Sequence, residues 1–238
     1  MREEGACNNA VSENARLSCE IKKTAKREQR WVLPKIDHIE KVGLVVKFHC
    51  GDASYCLRAL EKSDCESVAA WLQNPRQNEW MDFGNGRQAL NALAISIMAR
   101  SPDHFVRVVL DAKSRLIGVF GLQQVRHPFR VAQLWGVRPM LRPPARLRNA
   151  VAMRVVLSLA FQAYDLSAVQ AWAVDGNLAS IRILEELGFC ACGRHRRCHP
   201  IGGVMRDRLN FDLLPEDFEP ITDLGQSDGT TQTEVECV

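Results

Sequence analysis

The sequence predicts a mixed α/β fold on a central, mostly antiparallel sheet, and three observations carry that prediction. Apolar residues alternate in two short runs between residues 42 and 59. Three more strand-like runs follow between residues 104 and 137, joined by turns short enough to favour antiparallel pairing. A long apolar helix then leads into a buried-looking strand, a capped helix and a last strand pair, giving the order ββααβββαβαββ.

Val42, Leu44, Val46 and Phe48 alternate as a strand, Cys50-Gly51-Asp52 supplies a turn, and Tyr55, Leu57 and Ala59 alternate in the next strand. Ser63-Asp64-Cys65-Glu66 reads as a capping box, with Ser63 at the N-cap. The helix it opens places Val68, Trp71 and Leu72 on one face, and Asn74-Pro75 stops it. After a Gly84-Asn85-Gly86 turn, a second helix spans about Gln88 to Ala99 with Leu90, Leu93, Ala94 and Ile97 apolar. The meander strands are His104–Leu110, Arg115–Gln124 and Val131–Val137. The helix from about Arg146 to Tyr164 is apolar on most sides and is expected to be buried. Ala168–Val174 is a strand, and Asn177–Leu187 is a helix with Asn177 at its N-cap and Gly188 just past its end. Phe189–Arg196 and Met205–Leu213 pair around Pro200-Ile201-Gly202-Gly203.

Composition sets the outer limits. The chain has 238 residues, 46 % hydrophobic and 25 % charged, enough to bury a full core. A net charge of +3 is too mild to argue for nucleic acid. Nine cysteines, an odd number scattered through the chain, and no leader pattern read as free thiols in a reducing cytoplasm. The longest apolar run, Val155–Phe161, is too short to span a bilayer. Residues 1–40 form a flexible basic and polar arm, with Lys22, Lys23, Lys26, Arg27 and Arg30. Residues 41–215 are the folded domain. Residues 216–238 carry seven acids and no Lys or Arg, and read as a disordered acidic tail.

Asn177-Leu178-Ala179-Ser180, closing on Leu187-Gly188-Phe189, resembles the N-x-x-S … L-G-F signature of the GNAT acetyltransferases, closest to the type that acetylates ribosomal-protein N-termini. The resemblance includes Tyr55–Leu60 with Ser63-Asp64, Trp71-Leu72-Gln73-Asn74-Pro75 and Leu116–Leu122. It continues through Gly193-Arg194 to Asp207 and Phe211, and covers about residues 53–214. It implies the GNAT fold, with helices on both faces of a twisted sheet. The family's fourth and fifth strands, here Val131–Val137 and Ala168–Val174, would splay apart at their ends to hold acetyl-CoA. Backbone groups around Leu134, Trp135, Gly136 and Val137 would pair with the pantetheine arm and polarise the thioester. Asn177 matches the family residue that bonds that arm, and Ser180 the position beside the thiol.

The phosphate loop departs from the family pattern. Spaced glycines are usual there, but this chain has Arg142-Pro143-Pro144-Ala145-Arg146-Leu147-Arg148-Asn149-Ala150. Pro143 and Pro144 have no N–H to offer. Arg142, Arg146 and Arg148 could supply charge instead, with amides of the Arg146–Ala150 helix start. An amine must lose a proton to attack a thioester, and Glu79, then Asp82 and Asp175, are the candidate bases. Tyr164 is read as a packing residue. The Cys190–His199 run does not match zinc-knuckle spacing and implies no metal; Cys190 and Cys192 read as small hydrophobes on one strand face. Arg194, Arg196 and Arg197 read either as a charged edge or as contacts to the cofactor's 3′-phosphate or an acidic acceptor.

The expected function is acetyl transfer from acetyl-CoA to a primary amine by direct attack. The acceptor is a protein N-terminus or a small-molecule amine. Two other readings stay open. One is a GNAT-fold binding or regulatory module that has lost its glycine-rich loop. The other is an RNA- or ribosome-associated factor resting on the basic arm alone. A homodimer is also left open.

Overall fold

The computed structural model describes residues 44–50, 53–82, 90–139, 145–220 and 233–237. Its strands are β1 (Leu44–Cys50), β2 (Ala53–Ala59), β3 (His104–Asp111), β4 (Leu116–Gln123), β5 (Val131–Val137), β6 (Ala168–Val174), β7 (Cys190–Ile201), β8 (Val204–Leu213) and β9 (Thr233–Cys237). Among the described residues the helices are α1 (Cys65–Gln73), α2 (Pro75–Asn78), α3 (Ala92–Arg100), α4 (Ala145–Tyr164) and α5 (Leu178–Glu186). The strands form one sheet in the order β7-β8-β6-β5-β4-β3-β2-β1-β9. Its neighbours are antiparallel except β5 and β6.

Helices cover both faces of the sheet. On one side Val155, Val156 and Leu159 of α4 and Ile183 of α5 pack with Phe105, Phe120, Leu134 and Val169. On the other, Val68 and Leu72 of α1 and Ile95 of α3 meet Val106, Val108, Val119 and Val137. β3 and β4 are therefore buried on both faces, which explains their largely apolar runs, broken in β3 by the buried Arg107. Each fully buried Leu, Val or Phe is worth ~1.5–3 kcal/mol, so these central strands form the rigid frame behind the site.

β5 and β6 form at their predicted bounds, and the departures elsewhere have physical causes. Ser63 does not cap α1. Buried Asp64 holds the N-cap position but makes no side-chain bond to the helix. Its carboxylate faces back instead, accepting the Glu61 amide at 2.8 Å in the 3-10 turn Lys62–Asp64 and a two-pronged bond from Arg58 at 2.7 and 3.0 Å. Asn74-Pro75 starts a helical turn as well as stopping one. The Asn74 side chain accepts from the Arg76 amide at 3.1 Å, and Pro75 takes the first position, where its missing N–H costs nothing.

α3 begins at Ala92, where Asn91 accepts the Ala94 amide at 2.9 Å; Gln88 and Ala89 lie outside the described residues. Its inward residue is Ile95, while Leu93 and Ile97 of the expected apolar face are 68 % and 63 % exposed. Apolar residues around most of a helix leave its inward side to be chosen by neighbours, here α1 and β3.

β7 runs past Arg196 to Ile201 and includes Pro200, which an edge strand tolerates. Its pairing jumps from His195↔Arg208 to His199↔Arg206, so Arg196, Arg197 and Cys198 bulge opposite Asp207. Arg197 closes the bulge at φ +49°, donating its amide to the Asp207 carboxylate at 2.8 Å. Gly202 and Gly203, at φ +56° and +79°, form the two-residue hairpin turn.

Part of the acidic tail is ordered: Thr233–Cys237 pairs antiparallel with β1. The Thr-Glu-Val-Glu-Cys alternation suits a strand with two unlike faces. The N-terminal arm and residues 221–232 lie outside the described residues. Cys56, Cys65, Cys192 and Cys198 are free, but Cys190 is disulfide-bonded, against the free-thiol expectation. The side chain of its partner lies outside the described residues. Cys192 is exposed and does not pack as a small hydrophobe.

Candidate active site

β5 and β6 pair only over Val131–Gln133 and Ala168–Gln170. Beyond that each strand is committed elsewhere, β5 to β4 as far as Val137 and β6 to β8 as far as Val174. The splay therefore begins earlier than the strand ends at Val137 and Val174. Backbone groups of Leu134–Val137 that face β6 have no ladder there, and strand amides and carbonyls are obligatory hydrogen-bonding groups. They line a cleft of about 620 Å³, wide enough for an extended ligand arm.

Gly136 has a packing reason to be glycine. A Cβ there would approach Phe120 to 2.5 Å and Met153 to 2.8 Å. Only its backbone can serve a ligand. Asn177 and Ser180 line the same cleft. The Asn177 side-chain oxygen accepts the Ser180 amide at 3.3 Å and caps α5, while the carboxamide still carries two N–H donors. Ser180 stands in the first turn of α5, at the positive end of the helix dipole, where developing negative charge is favoured.

At the phosphate end, Arg142 and the side chains of Arg146, Leu147 and Arg148 lie outside the described residues. Asn149 and Ala150 are buried and do not line the cleft, and a helix starting at Ala145 uses their amides internally. Arg138 and Pro139, which the sequence reading did not single out, do line it.

The opposite wall comes from the segment after α1. The Gln77 side-chain amide donates to the Arg138 carbonyl, tying this wall to the end of β5. Trp80, Met81 and Asp82 line the cleft; Glu79 does not. Instead the Glu79 carbonyl accepts from His199 Nε2 at 2.6 Å. Asp82 accepts from Arg208 Nη2. Arg208 Nε and Nη2 also reach His199 Nδ1 at 3.2 and 3.0 Å. Arginine only donates, so Nδ1 is the acceptor and Nε2 carries the hydrogen toward Glu79. The Arg208 guanidinium lies 4.2 Å over the ring of Trp172, which also lines the cleft. Of the two leading bases, Glu79 thus stands outside the cleft lining and Asp82 faces it while ion-paired.

The other candidates sit elsewhere. Asp175 pairs with Arg194 at 2.9 Å, and Arg194 also meets Asp207 at 2.5 Å. The Arg197 amide and then Arg194 hold the Asp207 carboxyl below the usual carboxylate range. Arg194 is therefore engaged with two carboxylates rather than held out for a phosphate. Tyr164 packs edge-on against Phe105 at 5.7 Å. Among the described residues no group of three or more His, Cys, Asp or Glu could hold a metal ion.

The strands thus part beside a capped helix and leave backbone groups facing a cleft that could take an extended arm. Residues 55–190 match the family model of the acetyltransferase (GNAT) domain, and the chain belongs to that family. Acetyl-CoA is the family's donor, and the activity class is N-acetyl transfer. Solved structures share the fold. A single-site variant of spermidine N-acetyltransferase from Vibrio cholerae is 19 % identical, with a TM-score of 0.59 over 67 % of this chain and 93 % of that one. The ribosomal-protein-S5-alanine acetyltransferase from Vibrio fischeri is 20 % identical, with a TM-score of 0.55 over 70 % and 96 %. RimJ from Mycobacterium smegmatis, in complex with CoA-disulfide, is 19 % identical, with a TM-score of 0.60 over 80 % and 97 %. No curated protein matches the sequence. No helix among the described residues is long and apolar enough to cross a membrane.

Proposed function

We propose that this chain acetylates a primary amine, on a protein N-terminus or a small molecule, by direct attack on the thioester of acetyl-CoA. The observation that carries the reading is the early parting of β5 and β6 beside Asn177 and Ser180. Acetyl-CoA suits these residues. Leu134–Val137 offer backbone donors and acceptors to the pantetheine arm, and Asn177 offers its carboxamide. First-turn amides of α4, with Arg142, Arg146 and Arg148, take the diphosphate.

When bound, acetyl-CoA supplies the activated acetyl group. A β5 amide polarises the carbonyl, and Ser180 donates a hydrogen bond to the leaving sulfur. The amine nitrogen bonds to the acetyl carbon as the C–S bond breaks, and its proton leaves by water toward Asp82, the acid that lines the cleft. Cytoplasmic residence belongs to this reading, supported by the free thiols of Cys56, Cys65, Cys192 and Cys198; the disulfide at Cys190 weighs against it.

Calorimetry on the purified chain tests the donor half, with submillimolar acetyl-CoA binding expected. A panel of N-terminal peptides, polyamines, aminoglycosides and amino-sugars, read by thiol release, tests the acceptor half. No binding would end the transferase reading. Stoichiometric binding without turnover on any amine would return it to the binding-module alternative.

A further inference from the structure

The contacts around His199 form a closed circuit. They run from the Asp82 carboxylate to the Arg208 guanidinium, then to the His199 imidazole and the Glu79 carbonyl. The circuit begins and ends on one short segment, residues 79–82. His199 is 3 % exposed, and both of its ring nitrogens are used. Arg208 joins it while stacked on Trp172, whose ring also lies 5.7 Å from His199.

The segment so held has modest local support. Trp80 and Met81 donate their amides to Gln77 and Asn78 at 3.1 Å, and the Asn78 side chain reaches the Leu72 carbonyl at 2.9 Å. Those bonds fix a turn. They do not fix where the turn stands relative to β6. Gln77 ties the start of the segment to the end of β5 through the Arg138 carbonyl, and the tie to the β7–β8 hairpin holds its far end, where Trp80, Met81 and Asp82 line the cleft that Asn177 and Ser180 also line. Removing Arg208 would strip a bond from Asp82 and from His199 at once, and such losses are costly where both groups are half-buried or deeper.

We infer that Arg208 and His199 are positioning residues for the amine acceptor, clamping residues 79–82 as the acceptor wall and leaving the donor cleft untouched. The kinetic consequence rests on the transferase reading; the clamp itself does not.

The test uses the full chain with Arg208→Met, Arg208→Lys, His199→Leu and His199→Gln, following amine KM, kcat, acetyl-CoA Kd and amide hydrogen exchange over residues 79–82. Arg208→Met is expected to raise amine KM about 10-fold and, because Asp82 moves with the segment, to lower kcat as well, with acetyl-CoA Kd within about twofold. Exchange over residues 79–82 rises in the same variant. Arg208→Lys falls in the same direction, because an ammonium cannot serve both partners in a fixed fork. His199→Leu behaves like Arg208→Met. His199→Gln stays near wild type, since its amide can donate to Glu79 and accept from Arg208.

Unchanged KM and exchange in Arg208→Met would overturn the inference, as would equal defects in His199→Gln and His199→Leu. Should Arg208→Met fail to fold, the His199 pair decides. If the wild-type chain binds no acetyl-CoA, the transferase reading falls and exchange alone decides the clamp.

Discussion

The two walls of the cleft are built by opposite strategies. The wall on the β6 side, the donor wall of our proposal, comes from one continuous stretch, in which β6 ends, Asn177 caps α5 and Ser180 follows in its first turn. The wall we assign to the acceptor joins Glu79 to His199 and Asp82 to Arg208, partners 120 and 126 positions apart. A local construction tolerates change elsewhere in the molecule, because caps and helix starts are set by near neighbours. A long-range one inherits every shift of the hairpin that supplies half of it.

Substitutions can separate the two walls. The largest effect is expected for Ser180→Ala, which should lower kcat roughly 10²-fold with amine KM and acetyl-CoA Kd nearly unmoved. A KM change without a kcat change would place Ser180 on the acceptor side and dissolve the distinction. Gly136→Ala comes next. Its Cβ meets Phe120 and Met153, and overpacking of this kind costs about 1–3 kcal/mol in a urea titration, with weaker acetyl-CoA binding. Amine KM, measured at saturating donor, should hold.

Asn177→Ala should cost about 1 kcal/mol of stability through the lost cap and also weaken acetyl-CoA. Asn177→Ser keeps a capping oxygen, so stability should recover while acetyl-CoA binding does not. Recovery of both would make Asn177 a cap alone.

The smallest effect concerns Asp207, which is bonded to the Arg197 amide and to Arg194. Its folded carboxyl lies below the usual value, about 3.9. The stability it lends is therefore fully present above that pH and is lost as pH falls through the lower folded value. Asp207→Asn should flatten the decline of Tm below about pH 4 and shift Tm by about 1 °C at neutral pH. A larger neutral shift would mean that the bulge carries more of the acceptor wall than its exposure suggests.

The same contrast explains what could be read from sequence. β5, β6 and the Asn177–Gly188 helix were legible because apolar runs, an N-cap and a glycine stop are local signals, and Gly188 sits at φ +92° as a helix stop requires. Glu79 and Asp82 were legible only as acids in a loop. Whether either lines the cleft depends on Arg208 and His199, which nothing near residue 80 announces. His199 appeared within a Cys- and His-rich run that invites a metal reading; its burial arises from a bulge that periodicity does not reveal. Leu93 and Ile97 misled because hydrophobicity alone does not say which side of α3 meets α1.

That bulge has a consequence for change by length rather than by side chain. Between the His195 and His199 pairings β7 takes four steps where β8 takes two, and it is the pairing with Arg206 that sets the face of His199. Deleting one residue from Arg196–Cys198 shortens the bulge, and a one-residue slip of that pairing would turn the imidazole outward. Excision of Arg196 alone should disable acceptor use while acetyl-CoA still binds, with retained turnover as the contrary result. Insertions and deletions in a stretch outside the cleft lining would then be a short route to new acceptor preference.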